Sequence, residues 1–216
     1  MRGKASVAVL ATLDQASDAV VDSWFAALPA PAQARARAFC SRRRYRQFVA
    51  GRQLLATLLR QRLGIDPLIG EEPGGRPCVA GADLHCSIAH SGSGVMAGFS
   101  VLAPIGVDIE QQRSRDFERL VTTYFHPDEQ RVFATLDSGA RQQWFYRAWT
   151  RKEACAKASG QGLTLKTLAA PEPDADGRIA VSTAVFQGYA TAVVHCSPVP
   201  VTFEPVLHKD GKIIGL

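Results

Sequence analysis

No CxxC pair occurs among the five cysteines (Cys40, Cys78, Cys86, Cys155, Cys196), and their number is odd. That argues against a zinc site or a disulfide framework and favours reduced thiols, hence a cytoplasmic protein. No apolar run approaches the ~20 residues needed to span a bilayer, so no membrane role is expected. The start, MRGKASVAVLATLD, imitates a signal peptide, but Asp14 interrupts it early, and a first core strand over residues 5–12 explains it more simply. There is no GxxxxGK[ST] loop, which leaves a P-loop nucleotide enzyme without support. No GxSxG elbow surrounds Ser91, and neighbours on a strand point apart, so His90 and Ser91 do not make a nucleophile–base pair. Long polar tracts and strict repeats are missing too. With 216 residues, 46% hydrophobic and 21% charged, the chain has material for one substantial core or two small intimate domains.

What is present is unevenly placed. The net charge of +5 is modest, yet arginines 35, 37, 42, 43, 44, 46 and 52 crowd a stretch that contains no acid. Such a cluster favours an anionic partner: phosphate, nucleic acid, an acidic protein or a membrane surface. A solvated basic helix face is the plain alternative.

Along the chain, DSWFAALPAPAQARARAF reads as two helical pieces broken at Pro29 and Pro31. A longer helix follows across RRRYRQFVAGRQLLATLLRQRLG, with apolar residues at helical spacing and Gly64 as its stop. GEEPGGRP (70–77) is a turn-rich loop, DLHCSIAHS a strand entering a Gly/Ser loop, and VMAGFSVL the next strand. Beyond PIGVDIE (104–110), helices are predicted near 114–123, 127–137 and 140–159, then a turn at PEPDADG (171–177) and short strands to the end. Helices and strands recur in both halves, so an α/β or α+β fold of two similar lobes is expected, 1–103 and 104–216.

Acidic residues supply the chemistry. On a strand, Val107 and Ile109 of PIGVDIE point one way, and Asp108 and Glu110 the other. Two carboxylates on one face need a counter-charge, because burying either unpaired costs several kcal/mol. In RQQWFYRAWTRKEACAKASGQGL, residues Trp149, Glu153 and Lys157 share a helix face. Alone, Glu153 and Lys157 make a surface pair worth ~0.3–0.5 kcal/mol. With PIGVDIE in need of a cation, Glu153 becomes a third hard oxygen donor, which suits Mg²⁺. In YFHPDE, Asp128 and Glu129 fall in the first turn after Pro127, where they cap a helix or, for Glu129, supply a carboxylate near the metal. GGRP reads as a phosphate-contacting turn with Arg76 as its fork of donors, and His90 as a loop residue that hydrogen-bonds a phosphate or carbonyl. Together these groups describe phosphoryl-type transfer on a polyphosphorylated substrate. A nucleic-acid module would leave the carboxylates unexplained; a Mg²⁺-dependent phosphohydrolase would use them without an acceptor protein.

The series IGVDIE, YFHPDE and WTRKEACAKASGQGL resembles the signature motifs of the 4′-phosphopantetheinyl transferases of the surfactin-synthetase-activating (Sfp) type. Upstream, GRPCVAGADLHCSIAHS is similar to that family's GKP…NxSHS segment and FVAGRQLL to its preceding helix, so the resemblance spans about residues 30–168. It implies a pseudo-twofold fold of two similar lobes with coenzyme A in the cleft between them. It further implies transfer of 4′-phosphopantetheine to a serine of an apo acyl or peptidyl carrier protein, releasing adenosine 3′,5′-bisphosphate. Asp108, Glu110 and Glu153 would hold Mg²⁺. Glu129 would help deprotonate the carrier serine, and Lys157 would contact the pyrophosphate and assist the leaving group. Arg76 and His90 would bind coenzyme A phosphates, and Arg35, Arg43 and Arg46 would approach the 3′-phosphate. A monomer is implied, with no nucleic-acid partner. Three positions depart from the pattern: Arg76 replaces the usual lysine, Ala89 a serine and Ser87 an asparagine.

Overall fold

Two helices of 22 residues, each lying across a sheet, organise the chain. The computed structural model describes residues 6–14, 16–171, 179–199, 201–205, 207–209 and 212–214. The first half comprises β1 (Ser6–Thr12), α1 (Asp18–Ala26), α2 (Ala30–Arg37), α3 (Arg42–Leu63), β2 (Ile69–Glu71), β3 (Pro77–Val79), β4 (His85–Ser91) and β5 (Gly94–Ser100). The second comprises β6 (Ile105–Gln111), α4 (Phe117–Tyr124), α5 (Pro127–Ala134), α6 (Ser138–Ser159), α7 (Leu165–Leu168), β7 (Ala180–Phe186) and β8 (Tyr189–His195). Three short strands follow: β9 (Thr202–Pro205), β10 (Leu207–Lys209) and β11 (Lys212–Ile214).

The helix boundaries follow from local chemistry. Pro29 caps α2 and Pro31 sits in its first turn, which breaks the helix from α1 as the prolines predict. Ser41 starts α3, and Gly64 ends it in a left-handed conformation (φ 69°). α4 starts later than expected because Asp116 accepts from the Arg119 amide and becomes its cap. α5 stops short of residue 137 because Asp137 caps α6 instead, accepting from the Ala140 amide at 2.8 Å. Residues 70–77, expected as a loop, are bounded by a hairpin: Ile69 pairs with Val79, Gly70 with Cys78 and Glu71 with Pro77. The expected PEPDADG turn lies, beyond Pro171, outside the described residues.

The first sheet has the order β4-β5-β1-β9, antiparallel except for the parallel β1–β9 edge. β9 thus returns from the C-terminal region to the first sheet. The second sheet, β6-β8-β7, is antiparallel throughout, with Asp108 opposite Ala192. α3 buries Phe48, Leu55, Leu58 and Leu59 against Val95, Ala97 and Phe99 of β5. α6 sets Ala154 and Ala158 against Ala192 and Val194 of β8. The fold is therefore mixed α/β, with largely antiparallel sheets and one long helix over each.

β4 and β6 meet where the sheets abut. Ser87 Oγ accepts from the Val107 amide at 3.1 Å and Ser91 Oγ from the Gln111 amide at 3.0 Å, so the strands run side by side in the same sense. On one face of β6, Ile105, Val107 and Ile109 join Ala89, Met96 and Val193 in the seam between the sheets. The opposite face, Gly106, Asp108 and Glu110, is left for α6, as the strand period requires. Gly106 is a steric necessity: a Cβ there would lie 1.9 Å from the Ala154 carbonyl oxygen and 2.7 Å from the Ala158 nitrogen.

Gly106→Ala is therefore expected to destabilise the protein by about 3 kcal/mol or more, since backbone rather than a flexible side chain must yield. Gly139→Ala, at an exposed helix start, should leave stability nearly unchanged. Denaturant melts of the two variants check the contrast; equal midpoints would refute the close-approach constraint.

Candidate functional site

The close approach at Gly106 aims the next residues of β6 at α6. Asp108 is 2% exposed. Lys157, one helical turn beyond Glu153, donates to Asp108 Oδ1 at 2.6 Å and to the Val107 carbonyl at 3.2 Å, and lies 3.9 Å from Glu153 Oε2. The other Asp108 oxygen, Oδ2, is buried without a hydrogen-bond partner. Glu110 Oε2 accepts from Ser91 Oγ at 3.1 Å and pairs with Arg115 at 3.2 Å. The structure thus brings Asp108, Glu110, Glu153 and Lys157 together, as the sequence pattern requires.

Electrostatically this cluster is short of positive charge. Burial pushes the Asp108 carboxyl well above the usual carboxylate range; Lys157 opposes that, while Glu153 and Glu110 add to it. Burial and then Glu153 also push Glu110 upward, against Ser91, Arg115 and Lys157. Among the described residues no three His, Cys, Asp or Glu side chains converge at metal-ligand separation as they stand, and it is the Lys157 ammonium that neighbours Asp108. The donor set nevertheless fits a hard divalent cation: three carboxylates in mutual electrostatic reach, one with an orphaned buried oxygen.

Beside the cluster is a cavity of about 340 Å³ lined by Gly74, Gly75, Arg76, Ser87, Lys157 and Gly160. The two glycines have φ of 102° and 88°, which lets the hairpin tip turn with bare backbone toward the cavity. Arg76 Nη2 donates to the carbonyls of Lys157 and, at 3.2 Å, Ala158. Arg35 lies near Gly75 and pairs with Glu71 at 2.7 Å; the buried Arg52 shares Glu71. His90 faces Arg44, whose Nη1 is 2.6 Å from Nε2 and 3.1 Å from Nδ1.

Arg43 and Arg46 do not line this cavity, although the charge of Arg43 reaches His90. With Arg42, Gln47, Gln111 and Arg113 they line a second cavity of about 540 Å³, at the Ser91 end of β4 rather than the Ser87 end. Arg46 is tied to Asp18 and to the Ala16 carbonyl.

Glu129 has a structural task. Its Oε2 accepts from the His126 amide at 2.9 Å, completing a capping box, and lies 2.8 Å from Lys152 Nζ. Lys152 also donates to the Ala170 carbonyl at 2.6 Å and sits 5.3 Å over the Phe125 ring. No hydrogen bond or ion pair among the described residues joins Glu129 to the Asp108 cluster, although its Oε1 is buried without a partner. Trp149 shares the spacing of Glu153 and Lys157, but its ring packs into the aromatic core, stacked on Phe145 at 5.6 Å. Sequence reasoning missed Lys152, Arg44, Arg115 and Ser91 as partners. Only Lys152 carried a signal: in RKE, adjacent helix residues point ~100° apart, so Lys152 and Glu153 serve different neighbours.

A family profile, the 4′-phosphopantetheinyl transferase superfamily, matches residues 104–198. That stretch contains Asp108, Glu110, Glu129, Glu153 and Lys157. The chain is 32% identical over 159 residues to the 4′-phosphopantetheinyl transferase HetI of Nostoc sp. (strain PCC 7120), covering 70% of this chain and 67% of that protein. It is 34% identical over 92 residues to the 4′-phosphopantetheinyl transferase Sfp of Bacillus subtilis (strain 168), covering 42% of this chain and 40% of that protein. To the 4′-phosphopantetheinyl transferase AcpT of Salmonella typhimurium (strain LT2) it is 29% identical over 160 residues, 73% of this chain and 79% of that one. The aligned stretch thus spans about two thirds of the Nostoc relative and less than half of Sfp. No described helix is long and apolar enough to cross a membrane.

Burial and, next, the Arg44 guanidinium lower the His90 pKa to about 4, so its ring is neutral near pH 7. The unfolded chain, with an ordinary value near 6.5, then binds more protons than the folded one between about pH 6.5 and 4, and stability should fall on acidification through that window. His90→Gln should flatten that part of the pH–stability curve. An NMR titration of the His90 ring with a midpoint near 6.5 would refute this.

Proposed function

The chain belongs to the 4′-phosphopantetheinyl transferase superfamily, and on that premise we propose that it transfers 4′-phosphopantetheine from coenzyme A to a serine of an apo carrier protein. The observation that carries this reading is the cluster of Asp108, Glu110 and Glu153 with Lys157 at 2.6 Å from Asp108, beside a glycine-walled cavity that Arg76 and Lys157 also line. Coenzyme A occupies that cavity: Arg76 and Lys157 face its pyrophosphate, and Arg35 and His90 its further phosphates. His90, being neutral, contributes a hydrogen bond rather than a charge.

Asp108, Glu110 and Glu153 would hold Mg²⁺, which when bound supplies positive charge to the diphosphate and lowers its repulsion of a nucleophile. The serine Oγ attacks the phosphorus that bears the pantetheine; one P–O bond forms and the P–O bond to the adenosine phosphate breaks. Lys157 faces the negative charge that grows on the departing adenosine 3′,5′-bisphosphate. The serine proton goes to Glu129, directly or through water, at Oε1, because Oε2 is engaged by His126 and Lys152.

Arg43 and Arg46 line the second cavity, with Arg42 and Arg113. Their charge there serves the approach of a carrier with an acidic helical surface. The two long helices over their sheets are read as lobes related by a pseudo-twofold axis and divided near residue 103. One chain then supplies both walls of the cleft and acts as a monomer. Five free thiols accord with a reducing, cytoplasmic setting.

A panel of apo carriers mixed with the protein, coenzyme A and Mg²⁺ should gain one phosphopantetheine each, read by intact mass. No gain with any carrier, while coenzyme A binds, would refute transfer. Asp108→Ala and Glu153→Ala should abolish the gain and keep the circular dichroism of the wild type; turnover in either removes that residue from the metal set. Arg43→Glu should raise the carrier KM about tenfold, as for a steering charge reversed, and leave the coenzyme A KM within about threefold. The opposite split would assign Arg43 to coenzyme A.

A further inference from the structure

Arg76 stands where the family pattern that the GRP segment resembles has a lysine, and a guanidinium presents its donors in a planar fork that an ammonium lacks. α6 ends at Ser159, with Gly160 in a left-handed conformation (φ 72°) and its amide donating to the Lys157 carbonyl at 3.3 Å. Arg76 Nη2 seats on this helix end from outside, donating to the carbonyls of Lys157 and Ala158. The last carbonyls of a helix lack intrahelical partners and carry the negative end of its dipole, so a cation there both satisfies and neutralises them. A Cβ on Gly160 would come within 3.3 Å of Nη2, so the glycine that ends the helix also leaves room for the guanidinium.

The consequence reaches the chemistry. Arg76 lies in the turn of the β2–β3 hairpin, whose Glu72 amide donates to the Arg76 carbonyl at 2.9 Å, in the first half of the chain, whereas α6 belongs to the second. The helix turn it grips is the one that carries Lys157, whose ammonium is 2.6 Å from Asp108. We propose that Arg76 is a positioning residue for Lys157: it clamps the last turn of α6 to the hairpin and so holds the ammonium at Asp108 and over the cavity. The planar guanidinium carries five donors on three nitrogens, so Nη2 can hold the helix while the remaining edge faces the cavity that Arg76 also lines. A lysine carries its three donors on one nitrogen and cannot spread them across two edges as the planar fork does. This assignment rests on the reading that Lys157 serves the leaving group, but the clamp itself is a statement about the helix end.

The test separates the two. Arg76→Lys keeps the charge and loses the fork. It should lower kcat about tenfold, the order of one lost hydrogen bond to a charged group, while the coenzyme A KM stays within about threefold. Without coenzyme A, amide hydrogen exchange at residues 158–162 should speed up about tenfold, with β6 and β8 exchanging as in the wild type. Arg76→Met should show the same local exchange and, in addition, a raised coenzyme A KM. A raised KM in Arg76→Lys with unchanged kcat and unchanged exchange would make Arg76 a phosphate ligand only and overturn the proposal. Unchanged exchange in both variants would overturn it as well. A protein that modifies no carrier would sink the transferase reading, and the exchange data would still decide the clamp.

Discussion

Backbone against backbone, at Gly106, is the contact on which the rest depends. The Ala154 carbonyl occupies the space a side chain would need, so α6 lies on β6 with no intervening layer. A helix so placed has little freedom to slide, because moving it by one residue would swing its facing side chains ~100°. With Ala154 and Ala158 pinned, Glu153 and Lys157 can only meet the strand at Asp108 and beyond. The small residues of α6 that face β8, Ala154 and Ala158, continue the same close packing. A bulky residue at any of these positions would lift the helix and widen the distance that sets Lys157 against Asp108.

That packing creates an electrostatic problem that the second half of the chain does not solve alone. Two further acids, Glu110 and Glu153, lie in electrostatic reach of the buried Asp108 carboxylate, and Lys157 is the cation beside Asp108 and Glu153. Relief comes from both directions: Arg115 at Glu110 from the loop after β6, and Ser91 from β4 of the other sheet. A buried carboxylate oxygen still has no partner. Stability alone would favour an apolar residue at Asp108, since desolvating a charge costs more than an exposed pair returns. An acid kept there at that cost accords with the proposed divalent cation, for which hard oxygen donors are suited.

Much of this was legible from the sequence, and the reasons are specific. Helix ends announced themselves through Pro29, Pro31 and Gly64, where local geometry decides. The two-faced character of PIGVDIE followed from the strand period alone. What could not be read was long-range pairing. The return of β9 to the edge of β1, and the hairpin hidden in GEEPGGRP, depend on partners remote in the chain or on three-residue strands too short to show a period. The arginines were legible as a cluster but not as individuals. One helix end sends Arg44 to His90 and Arg46 to Asp18, while Arg35, from the preceding helix, turns to Glu71. Glu129 was ambiguous for a related reason: the same first-turn acid that caps α5 also meets Lys152, which no local pattern connects to it.

The seam between the sheets explains why the site needs both halves. Ser87 and Ser91, four residues apart on β4, each take an amide of β6, four residues apart in turn. That ladder of side chains fixes β6 against the first sheet, just as Gly106 fixes it against α6. β6 is therefore held on both faces, and the acids it carries sit at a rigid crossing rather than on a loop. Beyond Lys157 the helix ends at two glycines of positive φ, Gly160 and Gly162, and Arg76 from the β2–β3 hairpin bonds to the last carbonyls there. Ser87 stands where the family pattern that this segment resembles has an asparagine, and its hydroxyl accepts from the Val107 amide. Its small size admits the Val107 amide at 3.1 Å, so this departure, like Arg76, tightens the join between the two halves of the chain.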